Sequence, residues 1–157
     1  MANTAAQRLV ERWIRENFLQ GKFHQTFQER QVPLIWGGSF NFDAVSDDSK
    51  IAANISTSKA RTRKKREGAG KFHKILADTF YLHNAHGLER RILIFTEQDM
   101  YDEFARRRQI GRFPQEPEIE LILIDDIPHE LRNGLEKSRD AASLEVTVEK
   151  PMKVEQL

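Results

Sequence analysis

Sixteen residues in the middle of the chain, Lys59 to Lys74, carry eight basic side chains (Lys59, Arg61, Arg63, Lys64, Lys65, Arg66, Lys71 and Lys74) against one acid, Glu67. Their local charge of +7 stands out in a protein whose formal net charge is +1. Such a run is suited to neutralising nucleic-acid phosphates, with an affinity that falls steeply with salt and carries little sequence preference. No stacking aromatic lies between Lys59 and Arg66, so base reading is not expected there. The plainer alternative is a solvated connection between a strand and a helix, but the charge density favours phosphate contact. The rest of the charge is segregated too: Glu116, Glu118, Glu120, Asp125 and Asp126 make an acid-rich end.

Other side chains could join such a site. Lys71, Lys74, Asp78 and Tyr81 recur at intervals of three and four and share one helix face, and Glu11 and Glu16 lie on an earlier helical stretch. The plainer expectation is an exposed face with one i, i+4 ion pair. His83, near His73 and His86, sits on an apolar stripe and reads as a core histidine, so no zinc site is expected. The chain contains no cysteine, which excludes disulfides, thiol nucleophiles and Cys-type zinc sites. It shows no P-loop, dinucleotide-binding glycine pattern or Ser-His-Asp nucleophile motif. Chemistry must come from carboxylates, lysine, histidine, serine or a metal.

The elements that position these residues follow from periodicity. Leu9, Val10, Trp13, Ile14 and Phe18 predict an amphipathic helix over 4–20, capped by Asn3 or Thr4 and stopped by Gly21. Residues 27–36 read as extended, with Pro33 directing that strand to an edge and Gly37-Gly38 making a turn. Residues 39–46 and 50–57 alternate with period two and predict a hairpin around Asp47-Asp48. A second helix is expected over 68–84 and a buried strand over 91–96. A third helix should run to Gln109 behind a capping-box-like Thr96-Glu97-Gln98-Asp99. A further buried strand at 120–124 precedes a last helix, 128–137, with Asp126 as its cap. The order is α-β-β-β-α-β-α-β-α, an α/β domain over 1–140 with a tail over 141–157.

A length of 157 residues with 39% hydrophobic content suits one core. No apolar run approaches the ~20 residues that span a bilayer, and no secretory signal is evident, so a cytoplasmic protein without a membrane partner is expected.

The hairpin brings particular residues together. For an even loop centred between Asp47 and Asp48, Asp43 pairs with Ala52. Asp43, Asn54 and Ser56 then share one face of the sheet, with Phe42, Ala53 and Ile55 on the other. The element order, the segment Phe42-Asp43-Ala44-Val45-Ser46 and the segment Ala53-Asn54-Ile55-Ser56-Thr57-Ser58 resemble the core of the PD-(D/E)XK nuclease superfamily, with the helix containing Lys74 to Leu82 matching the one that follows. The resemblance covers roughly residues 3–124 and implies a restriction-endonuclease-like three-layer fold with a central mixed sheet. It implies that Asp43 is a metal-binding aspartate, and that Asn54 and Ser56 stand where the superfamily has its acid and its lysine.

Metal-dependent phosphodiester cleavage needs carboxylates to hold Mg²⁺ and a cation or base near the attacking water. Asp43 serves the first need, while Asn54 and Ser56 lack the charge for either. The leading expectation is therefore a nuclease-like protein that binds nucleic acid, DNA first, and has lost hydrolysis. The alternative is an active Mg²⁺-dependent endonuclease in which groups from neighbouring elements, Lys74 foremost, replace the missing ones. A third reading makes the domain a protein-interaction module. The resemblance also implies that a homodimer or a partner protein is possible.

Overall fold

The computed structural model describes residues 5–61 and 69–141. Five strands form one sheet in the order β1-β2-β3-β4-β5, comprising β1 (Phe27–Pro33), β2 (Ser39–Ser46), β3 (Ile51–Ser56), β4 (Arg90–Phe95) and β5 (Glu120–Leu123). β2 runs antiparallel to both β1 and β3, and β3, β4 and β5 are parallel. The sheet is thus mixed and the class α/β. Proline at the end of β1 fits its edge position, since it has no N–H to donate to a ladder.

Two parallel crossovers run in the same direction along the sheet. They place α3 (Ala69–His83) and α4 (Gln98–Gln109) on one face, where Phe72, Ile75, Leu82, Met100 and Phe104 pack against Phe42, Val45, Ala52, Leu93 and Phe95. The opposite face is covered by the N-terminal helix and by α5, helical over 129–141, through Val10, Ile14, Leu19 and Leu135 against Ala44, Ala53, Ile55, Ile92 and Ile94. Covered on both sides, β3 and β4 are largely apolar and bury every residue but Ser56, Arg90 and Arg91. Among the described residues no helix is long and apolar enough to cross a membrane.

Three local departures from the expected pattern have physical causes. The N-terminal helix does not stop at Gly21. It continues from α1 (Ala5–Trp13) through a π-helical stretch, Ile14–Leu19, into α2 (Gln20–Phe23), and His24 ends it at φ 58°. The wider turn changes which residues are buried: Val10, Ile14 and Leu19, at spacings of four and five, while Leu9 stays 49% exposed. The proposed caps Asn3 and Thr4 lie outside the described residues.

Glu97 stands at the start of α4 without capping it. Its carboxylate accepts from the Thr96 hydroxyl (2.9 Å) and from Arg132 (2.7 Å), and pairs with Arg139 (2.9 Å), tying α5 to the end of β4. The first helical bond of α5 runs from the Arg132 N–H to the Pro128 carbonyl (3.0 Å), so Pro128 takes the cap position and Asp126 lies two residues ahead of it.

The third departure is in the central hairpin. The turn is centred one residue later than expected, and Val45, not Asp43, pairs with Ala52. Register moves by two, parity is kept, and Asp43 comes opposite Asn54. Against β1 the register shifts, with Gln28 opposite Val45 and Arg30 opposite Phe42, so Asp43 and Ala44 together face Glu29 as in a β-bulge. This extra residue turns Phe42 to the α3 side, away from Ala53 and Ile55 with which simple alternation had grouped it.

Candidate active site

β2 and β3 are joined by regular pairs only at Ala44↔Ala53 and Val45↔Ala52. At Asp43 side chains take over from the ladder. The Asp43 N–H donates to Asn54 Oδ1 (3.0 Å), and the Ile55 N–H donates to Asp43 Oδ2 (2.8 Å). From the covering helix, Arg15 donates to the Asp43 carbonyl (3.1 Å). Asp43 is thereby fixed where β2 leaves β3, and its other carboxylate oxygen accepts no hydrogen bond among the described residues.

Charged groups from both helix layers act on this point. Lys74 on α3 contacts Asp78 at 3.0 Å; the aspartate side chain is 8% exposed and the lysine side chain 65%. Burial, the largest influence on Lys74, lowers its proton affinity, but Asp78, Asp43 and Glu11 outweigh it and hold the ammonium above its ordinary range. With most of its surface in water, Lys74 exerts an attraction that is partly screened. Burial pushes the Asp78 carboxyl up to about 6 against the pull of Lys74, with repulsion from Asp43 adding to the rise. Burial also raises Asp43, opposed by the Ile55 N–H and Lys74. Glu11, from α1, rises to about 7 through burial and then the repulsion of Asp43, against Arg15 and Lys74. Three carboxyls with raised proton affinity around one lysine mark crowded negative charge of the kind found at functional sites.

The residues singled out by sequence divide accordingly. Asp43 and Asn54 meet at this point, and the charges of Lys74, Glu11 and Asp78 act on it, the two acids being ones that the sequence assigned to solvated faces. Ser56 lies farther along β3. Its carbonyl accepts from the Thr96 N–H (3.1 Å), its hydroxyl takes a long bond from the Ser58 N–H (3.4 Å), and no contact ties it to Asp43. Glu16 is exposed on the π-helical stretch and does not join the cluster. Lys71 is half-buried, its proton affinity lowered by burial and by the charge of Arg139. Lys59 pairs with Glu136 at 3.8 Å, and the Arg61 N–H donates to Asp99 (3.3 Å). Arg63, Lys64, Lys65 and Arg66 lie outside the described residues. Tyr81 stacks on Phe40, and His83 has a buried Nδ1 with no partner among the described residues.

Asn54 is 3% exposed, and its Oδ1 is engaged by the Asp43 N–H, leaving Nδ2 as a buried donor without a partner among the described residues. A donor group repels a cation, so this position does not supply the second oxygen that Mg²⁺ would want. Glu11 can. Among the described residues no three His, Asp or Glu side chains are close enough to form a metal cage. Mg²⁺ ordinarily needs no such cage, because it binds through one or two carboxylates together with water and substrate phosphate. Asp43 and Glu11 are carboxylates of the type such a site uses, and the charge of one acts on the other. Comparison of the chain with protein-family models, curated proteins and solved structures gives no match.

Proposed function

We propose that this chain is a nuclease-like domain of the PD-(D/E)XK type that hydrolyses phosphodiester bonds in nucleic acid, with its catalytic groups supplied by β2, α1 and α3. The observation that carries this reading is the anchoring of Asp43 by Asn54 and the Ile55 N–H where the β2–β3 pairing ends, with the charges of Glu11 and of the Asp78-bound Lys74 acting on it. Asp43 and Glu11 would hold Mg²⁺, which supplies Lewis-acid polarisation of the phosphate and a more acidic water. Lys74 is kept protonated by Asp78 and by the two carboxylates, so it serves as a cation and not as a base. Its place is beside the attacking water and the charge that develops on the phosphate oxygens. Asp78 fixes the lysine from behind. Lys59 and Arg61, which follow β3 in the chain, would add positive charge for a polyanion.

The test uses supercoiled DNA and a single-stranded RNA with pure protein and Mg²⁺ or Mn²⁺, beside Asp43→Ala and Lys74→Ala. Metal-dependent cleavage absent from both variants supports the assignment. Cleavage that survives both, or none from folded wild type, rejects it. The second outcome leaves the reading in which the domain binds nucleic acid without hydrolysis, favoured by the donor character of Asn54 and the separation of Ser56. Salt-dependent binding of the non-cleaving protein then measures it.

A further inference from the structure

A row of aromatic rings begins beside Asp43 and ends in solvent. Phe42, the residue before Asp43, is fully buried and meets Phe40 at 4.9 Å between ring centroids. Phe40 stacks on Tyr81 (4.2 Å, 11° between planes), Tyr81 meets Phe80 edge-on (5.3 Å), and Phe80 meets Trp36 (5.6 Å, 31°). Burial falls along the row. Phe40 and Tyr81 are partly covered, whereas Phe80 is 52% and Trp36 54% exposed.

The exposed end is rigid. The Ile35 N–H donates to the Asn84 carbonyl (2.9 Å) and the Leu34 N–H to the Gly38 carbonyl (2.7 Å), and Gly37 takes φ 109°, closing the turn that presents Trp36. Phe80 is on α3 and is backed by Tyr81. Two large rings held open to water by their own supports form a preorganised surface, which binds with little loss of side-chain freedom.

We propose that Trp36 and Phe80 form a stacking platform for an unpaired nucleobase of a strand that also reaches the candidate centre. The inference rests on the nucleic-acid reading above and adds a preference for single-stranded or locally opened substrate. Every base offers a π face, so such a platform is tolerant of sequence. Phe80 lies on the same helix as Lys74, six residues or about 9 Å further along the axis, and Trp36 lies in the β1–β2 turn against it. A single strand would have to run on from the centre along α3 to reach both rings. A second copy of the chain is the competing occupant. With Ile35 and Leu76 included, the exposed apolar side chains offer roughly 400 Å², about half of the ~800 Å² per partner that a stable interface requires. The area favours a small planar ligand.

Binding of a labelled single-stranded oligonucleotide, and of the same sequence as a duplex, should be measured by anisotropy at low and high salt for the full chain, Trp36→Ala, Phe80→Ala and Trp36→Phe. Circular dichroism checks that each variant is folded. Each alanine should weaken single-strand binding about tenfold, with the loss persisting at high salt, while duplex binding changes by about threefold or less. Trp36→Phe should keep most of the affinity. Equal losses for both substrates, or none, overturn the platform while leaving nucleic-acid binding intact. Self-association of the wild type that the alanine variants abolish overturns it in favour of a second copy. Failure of the wild type to bind either substrate at low salt rejects the nucleic-acid reading, and the platform with it.

Discussion

Glu11→Gln tests the electrostatics of the centre without reference to any activity. In the folded protein the Glu11 carboxyl titrates at about 7 against an ordinary value of 4.5. Below the ordinary value both folded and unfolded chains hold the proton. Between 4.5 and 7 the folded chain holds a proton that the unfolded chain releases, so stability falls as pH rises through this window and is level above it. A shift of that size corresponds to about 3 kcal/mol at most. Glu11 is only partly buried, and solvent screening reduces this to roughly 1–2 kcal/mol. The glutamine keeps the shape and removes the charge. At pH 8 it should therefore be more stable than wild type by roughly 1–2 kcal/mol, a difference that vanishes by pH 4.5. Urea unfolding at half-unit steps from pH 4.5 to 8 measures it. Two stability curves that stay parallel across the whole range would show that the Glu11 carboxyl is raised neither by burial nor by Asp43, and the proposed centre would lose one of its three members.

Millimolar Mg²⁺ should raise the melting temperature at pH 8, where the carboxyls are ionised, and have little effect at pH 5; an equal rise in Asp43→Asn would count against Asp43 as a ligand. Asp43→Ala leaves the Ile55 N–H without its acceptor and should cost about 1–3 kcal/mol in chemical denaturation, with Asp43→Asn costing less. Asn54→Asp places a second carboxylate beside Asp43 at a position 3% exposed. It should destabilise the protein more at pH 8 than at pH 5, and Mg²⁺ should recover part of the loss in melting temperature; a pH-independent effect would refute the crowding of charge. Glu97→Ala leaves Arg132 and Arg139 without their shared carboxylate and should cost about 3 kcal/mol in urea unfolding, whereas a loss below about 0.5 kcal/mol would reduce that network to a surface feature.

The element order was legible because each helix and strand carries its own periodicity, and the two central strands were placed with the correct parity. The bulge was not legible. Phe40, Phe42 and Ala44 alternate without interruption, and no glycine marks the extra residue, so only pairing with β1 reveals it. The π-helical turn was hidden in the same way, since Leu9 completes a regular apolar stripe with Trp13 and Phe18, yet Leu9 is left exposed while Leu19 is buried. Asp78 gave a signal that could have been weighed differently. It falls three residues after Ile75 and four before Leu82, on the buried stripe of α3, and a carboxylate there needs a partner such as Lys74. Glu11 gave only its place next to Val10. Its role depends on Asp43, far away in sequence, and on which way the helix is turned.

That turn makes the N-terminal helix a coupling between two contacts with different demands. A wide turn holds about one extra residue, so the residues after it are rotated by roughly 100° relative to a regular helix. Upstream, Glu11 lies where the charge of Asp43 acts on it; downstream, Leu19 is buried in the cluster that contains Ala44, Ala53 and Ile94. Removing one residue between Ile14 and Leu19 would restore an ordinary helix, and the chain would then have to choose between keeping its acid in place and keeping its leucine packed.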